Sequence, residues 1–435
     1  MTDSRLCAYR VLKAVAVNRA FSPRALDAEI SKMKLSEQDA SLAANIVYGT
    51  LEKQLLLDRY IDRRLTKKGK LKSEIRIILR LSAYQLLFCD KIPKYSAINE
   101  GVELAKKIDA RLGGFVNAVL RGIDKNRGDD LLPDKQEDIA GYLSVRYSVE
   151  RWIAELWIVE LGADDAEKML ASCEDRPPLT ARVNTLCTSS DELIEMLLRE
   201  GVTAVVHPKV PNMLCLSETG SIDSLECYKK GLFHIQDVAS AVCCGVLEAE
   251  KGQTVYDVCS APGGKSFTVA QMMQNEGCLR SFDISEKKLG LVKQGAQRLG
   301  INILETRVRD AAKGELLPEA DRVICDVPCS GLGVIRKKPE IRRKKAEEIA
   351  GLPDIQSKIL ENSALLVKKG GILVYSTCTL VKAENENVVE AFLALHPEFK
   401  LLPFKTPFGD ECGYMTFRPD LYGTDGFFVA RMVKI

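Results

Sequence analysis

The sequence predicts a multidomain protein with an all-α N-terminal domain, a small α+β middle domain and an α/β C-terminal domain. Its 435 residues suffice for two or three domains. Apolar residues recur at three- and four-residue steps up to about residue 123, which is typical of packed helices. Beyond residue 236, β-prone runs alternate with helical runs, which favours a doubly wound parallel sheet. We expect the domains to span 1–140, 141–236 and 237–435.

The N-terminal third reads as helices joined by short turns, and it contains one basic stretch. From Arg59 to Arg80 the chain is rich in Lys and Arg and has few acids. This stretch is a candidate phosphate-facing surface, and a solvated helical face is the simpler alternative. Residues Lys125 to Asp138, which include Pro133, are typical of a linker.

The middle segment mixes two kinds of pattern. Helical periodicity covers Trp152–Leu161 and Ser190–Glu200, and short β-prone pieces cover Thr180–Val183 and Val202–Val206. This mixture predicts a compact α+β module.

In the C-terminal segment the alternation is regular enough to place individual strands. The candidate strands are Thr254–Val258, Leu279–Asp283, Asn302–Val308, Arg322–Asp326, Ile372–Ser376 and Phe427–Met432. Helices are expected after Lys265, Ser285, Asp354 and Ala383. Ligands of such sheets bind at the carboxyl ends of the strands, so the residues that follow each strand are the candidates for a site.

Composition excludes several classes of protein. Lys plus Arg number 62 and Asp plus Glu 60, so a nucleic-acid partner must be bound by local patches. No signal-peptide pattern and no apolar run of about 18 residues is present, so we expect a cytoplasmic protein outside the membrane. The 14 cysteines are scattered, CxxC is absent and only three histidines occur, so no metal site is expected. Cys243 and Cys244 read as a buried helix stripe.

A turn of small residues follows the first strand of the C-terminal segment. It contains Cys259, Ser260, Ala261, Pro262, Gly263, Gly264 and Lys265. A strand, such a turn and a helix start let a ligand approach backbone N–H groups at the helix N-terminus. A P-loop requires a glycine where Cys259 stands, and GxGxxG also fails, so neither a nucleotide triphosphatase nor a dinucleotide fingerprint is indicated. An ordinary structural turn is the simpler alternative.

Aspartates stand at the ends of the next two strands. Asp283 lies about twenty residues beyond the glycines, a spacing that suits hydrogen bonds to both ribose hydroxyls. Asp310 follows the third strand, where a carboxylate could meet an adenine amine or an ammonium group. Each alone is more often a helix or turn cap, but their succession indicates a nucleoside cofactor.

Two cysteine motifs follow the fourth and fifth strands. One is Asp326-Val327-Pro328-Cys329-Ser330-Gly331 and the other is Ser376-Thr377-Cys378-Thr379. Because these strands should be neighbours, both cysteines would face one pocket. A thiolate can add to an electron-poor aromatic ring carbon, although either cysteine alone could be a small buried hydrophobe.

Together these motifs resemble those of RNA (cytosine-5) methyltransferases, and the segment Gly333–Arg342 is similar to that of the bacterial Sun family, which methylates 16S ribosomal RNA. The segments Ala97–Lys106 and Gly114–Arg121 resemble the NusB-like helical domain of that family. The departures are small. They are Ser260 where alanine is frequent, Thr379 where serine is, and Lys337-Lys338 where Arg-His often occurs.

The resemblance implies a Rossmann-like, class I methyltransferase domain that uses S-adenosylmethionine. It implies cofactor contacts at Cys259 through Lys265, Asp283, Asp310 and Asp326. It further implies that Cys378 adds to cytosine C6, that a protonated Asp326 near N3 stabilises the adduct, and that Cys329 assists release. The expected partner is 16S ribosomal RNA, with protein partners left open.

Other functions compatible with the sequence are the same chemistry on transfer RNA and a non-catalytic role in RNA binding or assembly. DNA cytosine methylation is disfavoured because those enzymes place the attacking cysteine in a Pro-Cys motif. RNA should enter as a loop or a flipped base, because stacking in a duplex hides C6. The basic segments Arg59–Arg80 and Arg336–Lys345 are the expected RNA contacts.

Overall fold

The computed structural model describes residues 3–18, 20–65, 71–128, 130–174, 177–315 and 317–435. The chain forms two compact units, of which the first takes Met1–Asp175 with Ile335–Ala346 and the second takes Arg176–Val334 with Glu347–Ile435. The three-domain division at residues 140 and 236 stays a prediction.

The described residues of the first unit form helices joined by turns up to residue 172. The predicted helices up to about residue 123 and at Trp152–Leu161 are present, whereas the helices at Ile139–Tyr147 and Ala163–Ser172 were not predicted. The helices are α1 Asp3–Asn18, α2 Ser22–Met33, α3 Glu37–Glu52, α4 Gln54–Asp62, α5 Ser73–Phe88, α6 Lys94–Ile108, α7 Leu112–Lys125, α8 Ile139–Tyr147, α9 Arg151–Leu161 and α10 Ala163–Ser172. Helix α7 illustrates why these segments form helices. Its apolar residues recur at helical spacing and are all buried, as Val116, Val119, Leu120 and Ile123 show.

The segment Ile335–Ala346 follows the first cysteine motif in the chain but belongs to the first, helical unit. Arg342 is only 1% exposed, and its guanidinium donates to the carbonyl oxygens of Tyr147 at 2.6 Å and Cys173 at 2.7 Å. The Trp152 indole donates to the carbonyl of Lys344 at 2.9 Å. The prediction that this basic segment is an RNA-facing surface is therefore wrong for Arg342, which anchors the segment.

The basic stretch Arg59–Arg80 is also partly used inside the helical unit. Arg76 and Arg80 both form ion pairs with Asp58, at 3.0 and 2.6 Å, and Arg76 also pairs with Asp62 at 2.7 Å. These two cations are already neutralised by α4, so they do not form the open phosphate-binding face that the sequence suggests. The lysines of the same stretch, Lys67, Lys68 and Lys70, lie outside the described residues.

The second unit begins with a small antiparallel sheet. Its elements are β1 Leu179–Val183, α11 Ser190–Arg199, β2 Thr203–Val206, β3 Met213–Ser217, α12 Glu226–Lys229 and β4 Phe233–Ile235, and the strand order is β2-β3-β1-β4. Ser189 and Glu192 form a capping box that starts α11. The predicted α+β module is confirmed, and sequence periodicity missed β3 and β4.

A larger sheet with helices completes the second unit. Its elements are α13 Val238–Leu247, β5 Thr254–Asp257, α14 Gly264–Met272, β6 Cys278–Asp283, α15 Glu286–Arg298, β7 Leu304–Val308, β8 Ala320–Asp326, α16 Leu352–Ala364, β9 Val367–Thr377, α17 Glu386–Leu395, β10 Phe399–Leu401, β11 Phe404–Thr406, β12 Gly409–Glu411, β13 Tyr414–Phe417, α18 Pro419–Tyr422 and β14 Phe427–Lys434. The order is β10-β14-β9-β8-β5-β6-β7, with β13 beside β14 and a separate β11–β12 pair.

All six predicted strands are present, but the sheet is mixed and not wholly parallel. Strands β5 to β9 are parallel, whereas β14 is antiparallel to β9, β10 and β13. The connection from Phe417 to Phe427 is shorter than the dozen or so residues that a parallel crossover needs, so β13 and β14 pair as antiparallel neighbours. Strands β8 and β9 are parallel neighbours, as predicted, with Asp326 opposite Ser376.

Within the described parts of the chain, the structure contains no helix that is both long enough and apolar enough to cross a bilayer.

Replacing Arg342 with Ala should destabilise the helical unit by about 2 to 4 kcal/mol, because two buried carbonyl groups lose their donors and a cavity remains. Urea unfolding followed by circular dichroism measures this change. Lys107→Ala, at an exposed position on α6, is the control and should leave the unfolding free energy within about 0.5 kcal/mol. Equal stability of the two variants would contradict the anchoring role of Arg342.

Candidate active site

The segment Cys259–Lys265, which connects β5 to the start of α14 and is called the glycine turn below, is arranged so that a ligand can approach its backbone. The Ser260 amide donates to the carbonyl of Phe282 at 2.8 Å, which holds the turn against the end of β6. Gly263 has a φ of +112°, and a Cβ there would lie 2.4 Å from the Phe267 ring, so only glycine fits. A Cβ at Gly264 would meet no atom within 4 Å, which leaves open space beside the helix N-terminus.

Two buried polar atoms near this turn have no hydrogen-bond partner among the described residues, Asp257 Oδ1 and Ser260 Oγ. The other Asp257 oxygen accepts from Ser266 Oγ at 2.6 Å. Burial raises the pKa of Asp257 to about 7, and the nearby Asp326 carboxylate adds to this shift while the Ser266 hydroxyl opposes it. Unpartnered buried polar atoms of this kind suit a bound polar ligand.

Asp283 and Asp310 follow the next two strands, and a backbone bond connects their loops. The Arg309 amide donates to the carbonyl of Asp283 at 3.1 Å. Each carboxylate caps its own turn, since Asp283 Oδ1 accepts from the Ser285 amide at 2.8 Å and Asp310 Oδ1 from the Ala312 amide at 3.1 Å. Asp283 Oδ2 has no partner among the described residues and remains available to a ligand.

Asp326 connects the glycine turn to β9. Its Oδ2 accepts from Lys265 Nζ at 2.7 Å, and its Oδ1 accepts from Ser376 Oγ at 2.9 Å. Burial lowers the pKa of Lys265, but the Asp326 carboxylate together with Cys243 and Cys244 outweighs burial and leaves that pKa above its ordinary value. The role predicted for Asp326 at cytosine N3 stays a prediction.

The two motif cysteines meet at the ends of β8 and β9. Their Sγ atoms are 3.0 Å apart, and both side chains are half-buried. The hydrogen bond with Cys378 raises the pKa of Cys329 well above its ordinary value, and burial adds to the shift. Two thiols this close do not both ionise near neutral pH, so the pair carries at most one negative charge.

Other cysteines of this region also have pKa values that burial raises. Burial raises the pKa of Cys259, a half-buried member of the glycine turn, well above its ordinary value. Cys243 and Cys244 lie fully buried on α13, which confirms the predicted helix stripe, and burial raises the pKa of Cys244 to about 12. Thiols held neutral in this way are poor nucleophiles.

The structure brings all the predicted site residues to the carboxyl edge of strands β5 to β9. Ala261 is half-buried and Pro262 exposed, and the peptide bond between them is cis. Sequence reasoning missed three polar residues that contact the cysteine loops, Gln356, Glu384 and Asn385. Their one sequence signal is that Glu384 and Asn385 come directly before α17 and shortly after Cys378. Among the described residues, no group of three or more His, Cys, Asp or Glu is placed to bind a metal ion.

Comparison with known protein families gives one match for each of three parts of the chain. Residues 244–433 match the family described as 16S rRNA methyltransferase RsmB/F, and residues 2–125 match the NusB family. Residues 149–223 match the ferredoxin-like domain described as RsmF/B-like. With the observed architecture, these matches confirm the predicted order of a NusB-like helical domain, a small middle domain and a Rossmann-like domain.

The chain is similar over its full length to several known proteins. It is 36% identical to the probable ribosomal RNA small subunit methyltransferase B of Bacillus subtilis, with 100% of this chain and 99% of that protein covered. It is 33% identical to the protein of the same name from Synechocystis, with both chains covered completely. The crystal structure of PH0851 superposes with a TM-score of 0.86 at 30% identity, covering 100% of this chain and 99% of that one.

Replacing Asp257 with Asn should stabilise the protein above pH 7. The raised pKa means that ionised Asp257 costs folding free energy above about pH 7, and that this cost disappears below its unfolded pKa near 4. We expect a gain on the order of 2 to 4 kcal/mol at pH 8 that shrinks to nothing as the pH falls from 7 to 4. Urea unfolding of both proteins across this range measures it, and a gain that does not vary with pH would contradict the assignment.

Proposed function

The chain belongs to the RsmB/F family of 16S rRNA methyltransferases, and we propose that it methylates C5 of a cytosine in small-subunit ribosomal RNA. The observation that carries this proposal is the Cys329–Cys378 pair, with its sulfur atoms 3.0 Å apart at the ends of neighbouring strands. Nucleophilic catalysis on a pyrimidine ring needs one thiolate to attack and one group to remove a proton, and this pair offers both.

S-adenosylmethionine would supply an electrophilic methyl group when bound. The proposed contacts are Cys259, Ser260, Ala261, Pro262, Gly263, Gly264, Lys265, Asp283, Asp310 and Asp326. The unpartnered oxygens of Asp257, Ser260 and Asp283 fit a ligand rich in hydrogen-bond donors, such as the hydroxyls and ammonium of this molecule. The open space at Gly264 admits it to the backbone.

Cys378 would act first, as a thiolate. Cytosine C5 is a poor nucleophile because the ring is electron-poor, and addition of sulfur to C6 transfers a pair of ring electrons toward C5. C5 would then be nucleophilic enough to accept the methyl group that bound S-adenosylmethionine would supply. Asp326, which Lys265 contacts at 2.7 Å, would lie near N3 and stabilise the adduct.

Cys329 would act second, as the base. While Cys378 is a thiolate, its hydrogen bond keeps the pKa of Cys329 high and the thiol protonated. Once Cys378 is bonded to C6 it no longer carries this charge, so Cys329 can release its own proton to solvent and become a thiolate. Cys329 can then accept the C5 proton, the C5–H electrons restore the C5=C6 bond, and Cys378 leaves as a thiolate.

Ribosomal RNA is preferred over transfer RNA because the full-length relatives are named ribosomal RNA small subunit methyltransferase B. Transfer RNA remains the second candidate substrate, since the same cysteine pair would act on any accessible cytosine. A non-catalytic role in RNA binding or assembly is disfavoured, because such a role would not require two thiols within hydrogen-bonding distance.

The two cysteines should give opposite phenotypes. Cys378→Ala removes the nucleophile, so neither methylated RNA nor a covalent complex should form. Cys329→Ala permits attack but hinders proton removal, so protein should accumulate in a complex with RNA that survives denaturing gel electrophoresis. The test incubates each variant with S-adenosylmethionine and 16S ribosomal RNA transcripts. A complex from Cys378→Ala and none from Cys329→Ala would reverse the roles, and turnover in both variants would exclude the covalent mechanism.

Asp283→Asn should weaken S-adenosylmethionine binding by about ten- to a hundredfold, because it removes a charge-assisted ribose contact worth roughly 1.5 to 3 kcal/mol. The amide oxygen can still accept from the Ser285 amide, so the turn is preserved. Calorimetric titration measures the dissociation constant, with Glu286→Gln at an exposed position of α15 as the matched control. Equal affinity of Asp283→Asn and Glu286→Gln would place the ribose elsewhere.

A further inference from the structure

Two consecutive polar residues, Glu384 and Asn385, lie buried against the cysteine loops. Glu384 is 1% exposed and Asn385 is fully buried. Both lie in the short connection between β9 and α17, and the Tyr375 hydroxyl donates to the Glu384 carbonyl at 2.6 Å. No step of the proposed reaction uses either side chain, so their burial has another cause.

Glu384 holds both neighbours of Cys329. Its Oε2 accepts from the Ser330 amide at 2.8 Å and from Gln356 Nε2 at 2.9 Å. The same Gln356 nitrogen donates to the carbonyl of Pro328 at 2.9 Å. The residues before and after Cys329 are therefore fixed by one carboxylate and one amide, which leaves the Cys329 loop little freedom to move.

Asn385 holds both neighbours of Cys378 in the same way. Its Oδ1 accepts from the Thr377 hydroxyl at 2.6 Å, and its Nδ2 donates to the carbonyl of Thr379 at 3.1 Å. The two loops are also joined directly, because the hydroxyls of Ser330 and Thr379 are 2.7 Å apart. A single peptide unit, between Glu384 and Asn385, thus links the supports of both thiols.

Burying the Glu384 carboxylate costs folding free energy. Its Oε1 has no partner among the described residues, and the groups that bind Oε2 are neutral. A buried carboxylate with so few compensating contacts costs folding stability. This cost is explained if the Glu384 side chain is retained because it fixes the position of the Cys329 loop.

We propose that Glu384 and Asn385 are positioning residues, Glu384 for Cys329 and Asn385 for Cys378. The proposal rests on the proposed function, in which Cys378 attacks and Cys329 releases. Loosening the Cys329 loop should slow release, whereas loosening the Cys378 loop should slow attack. The two neighbouring residues therefore affect different steps of one reaction, which a purely structural role in a common core would not produce.

The test follows the denaturant-resistant complex of protein and 16S ribosomal RNA over time, after mixing with S-adenosylmethionine and quenching. Glu384→Ala should slow decay of the complex at least tenfold and leave its formation within about threefold of the wild type. Asn385→Ala should slow formation at least tenfold without accumulation. Gln356→Ala, which breaks the link to Pro328, should reproduce Glu384→Ala and carries the test if that variant does not fold. Glu390→Ala, exposed on α17, is the matched control and should change neither rate.

Titration of S-adenosylmethionine into each variant verifies folding, since among the described residues no hydrogen bond joins the glycine turn to Glu384 or Asn385. Equal slowing of both steps in Glu384→Ala and Asn385→Ala, or no slowing in either, would overturn the positioning roles. Failure of the proposed function has a different signature, in which methylation proceeds and even Cys329→Ala yields no complex. That result would reject the positioning roles together with the proposed function. A complex trapped by Cys329→Ala but by neither Glu384→Ala nor Gln356→Ala rejects the role of Glu384 alone.

Discussion

The hydrogen bonds that Asp326 accepts from Lys265 and Ser376 join the glycine turn, β8 and β9 along one edge of the sheet. Cys329 follows Asp326 by three residues and Cys378 follows Ser376 by two, so the same carboxylate fixes the origin of both cysteine loops. A largely buried ion pair returns little net stability, because desolvation offsets the Coulombic attraction. The ion pair instead contributes to the geometry of the site. Parallel strands end at a common edge, and the hydrogen bonds of Asp326 join the residues of that edge.

The close approach of the two thiols has a chemical consequence that neither thiol would have alone. In the proposed reaction, the negative charge of the attacking cysteine would keep its neighbour protonated until the ring bond forms, because only one of the two thiols ionises readily at a time. Electrostatics within the pair would then set the order of the two proposed steps. In the positioning roles proposed above, Gln356, Glu384 and Asn385 would hold the loops so that the two sulfur atoms stay 3.0 Å apart.

The features that sequence predicts well are those encoded within a few neighbouring residues. The glycine turn, the strand-end aspartates and both cysteine motifs are of this kind, and each lies where the pattern indicates. Features that depend on distant contacts were missed. Arg342 stands in a basic run of the kind that is typical of solvent-exposed surfaces. It is nevertheless buried, and it donates to backbone carbonyls of α8 and of the end of α10. The direction of β14 follows from its pairing with β13, and the role of Glu384 follows from an amide 54 residues away.

The central claim is that Cys378 forms a bond to cytosine C6 and that a proton is then removed from C5. RNA transcribed with 5-fluorocytidine tests it most directly, because fluorine at C5 cannot leave as a proton and the adduct cannot resolve. With S-adenosylmethionine, the wild-type protein should form a stable complex, and mass spectrometry of its peptides should place the methylated nucleotide on Cys378. Attachment at Cys329, or no adduct from a protein that methylates ordinary RNA, would contradict the account.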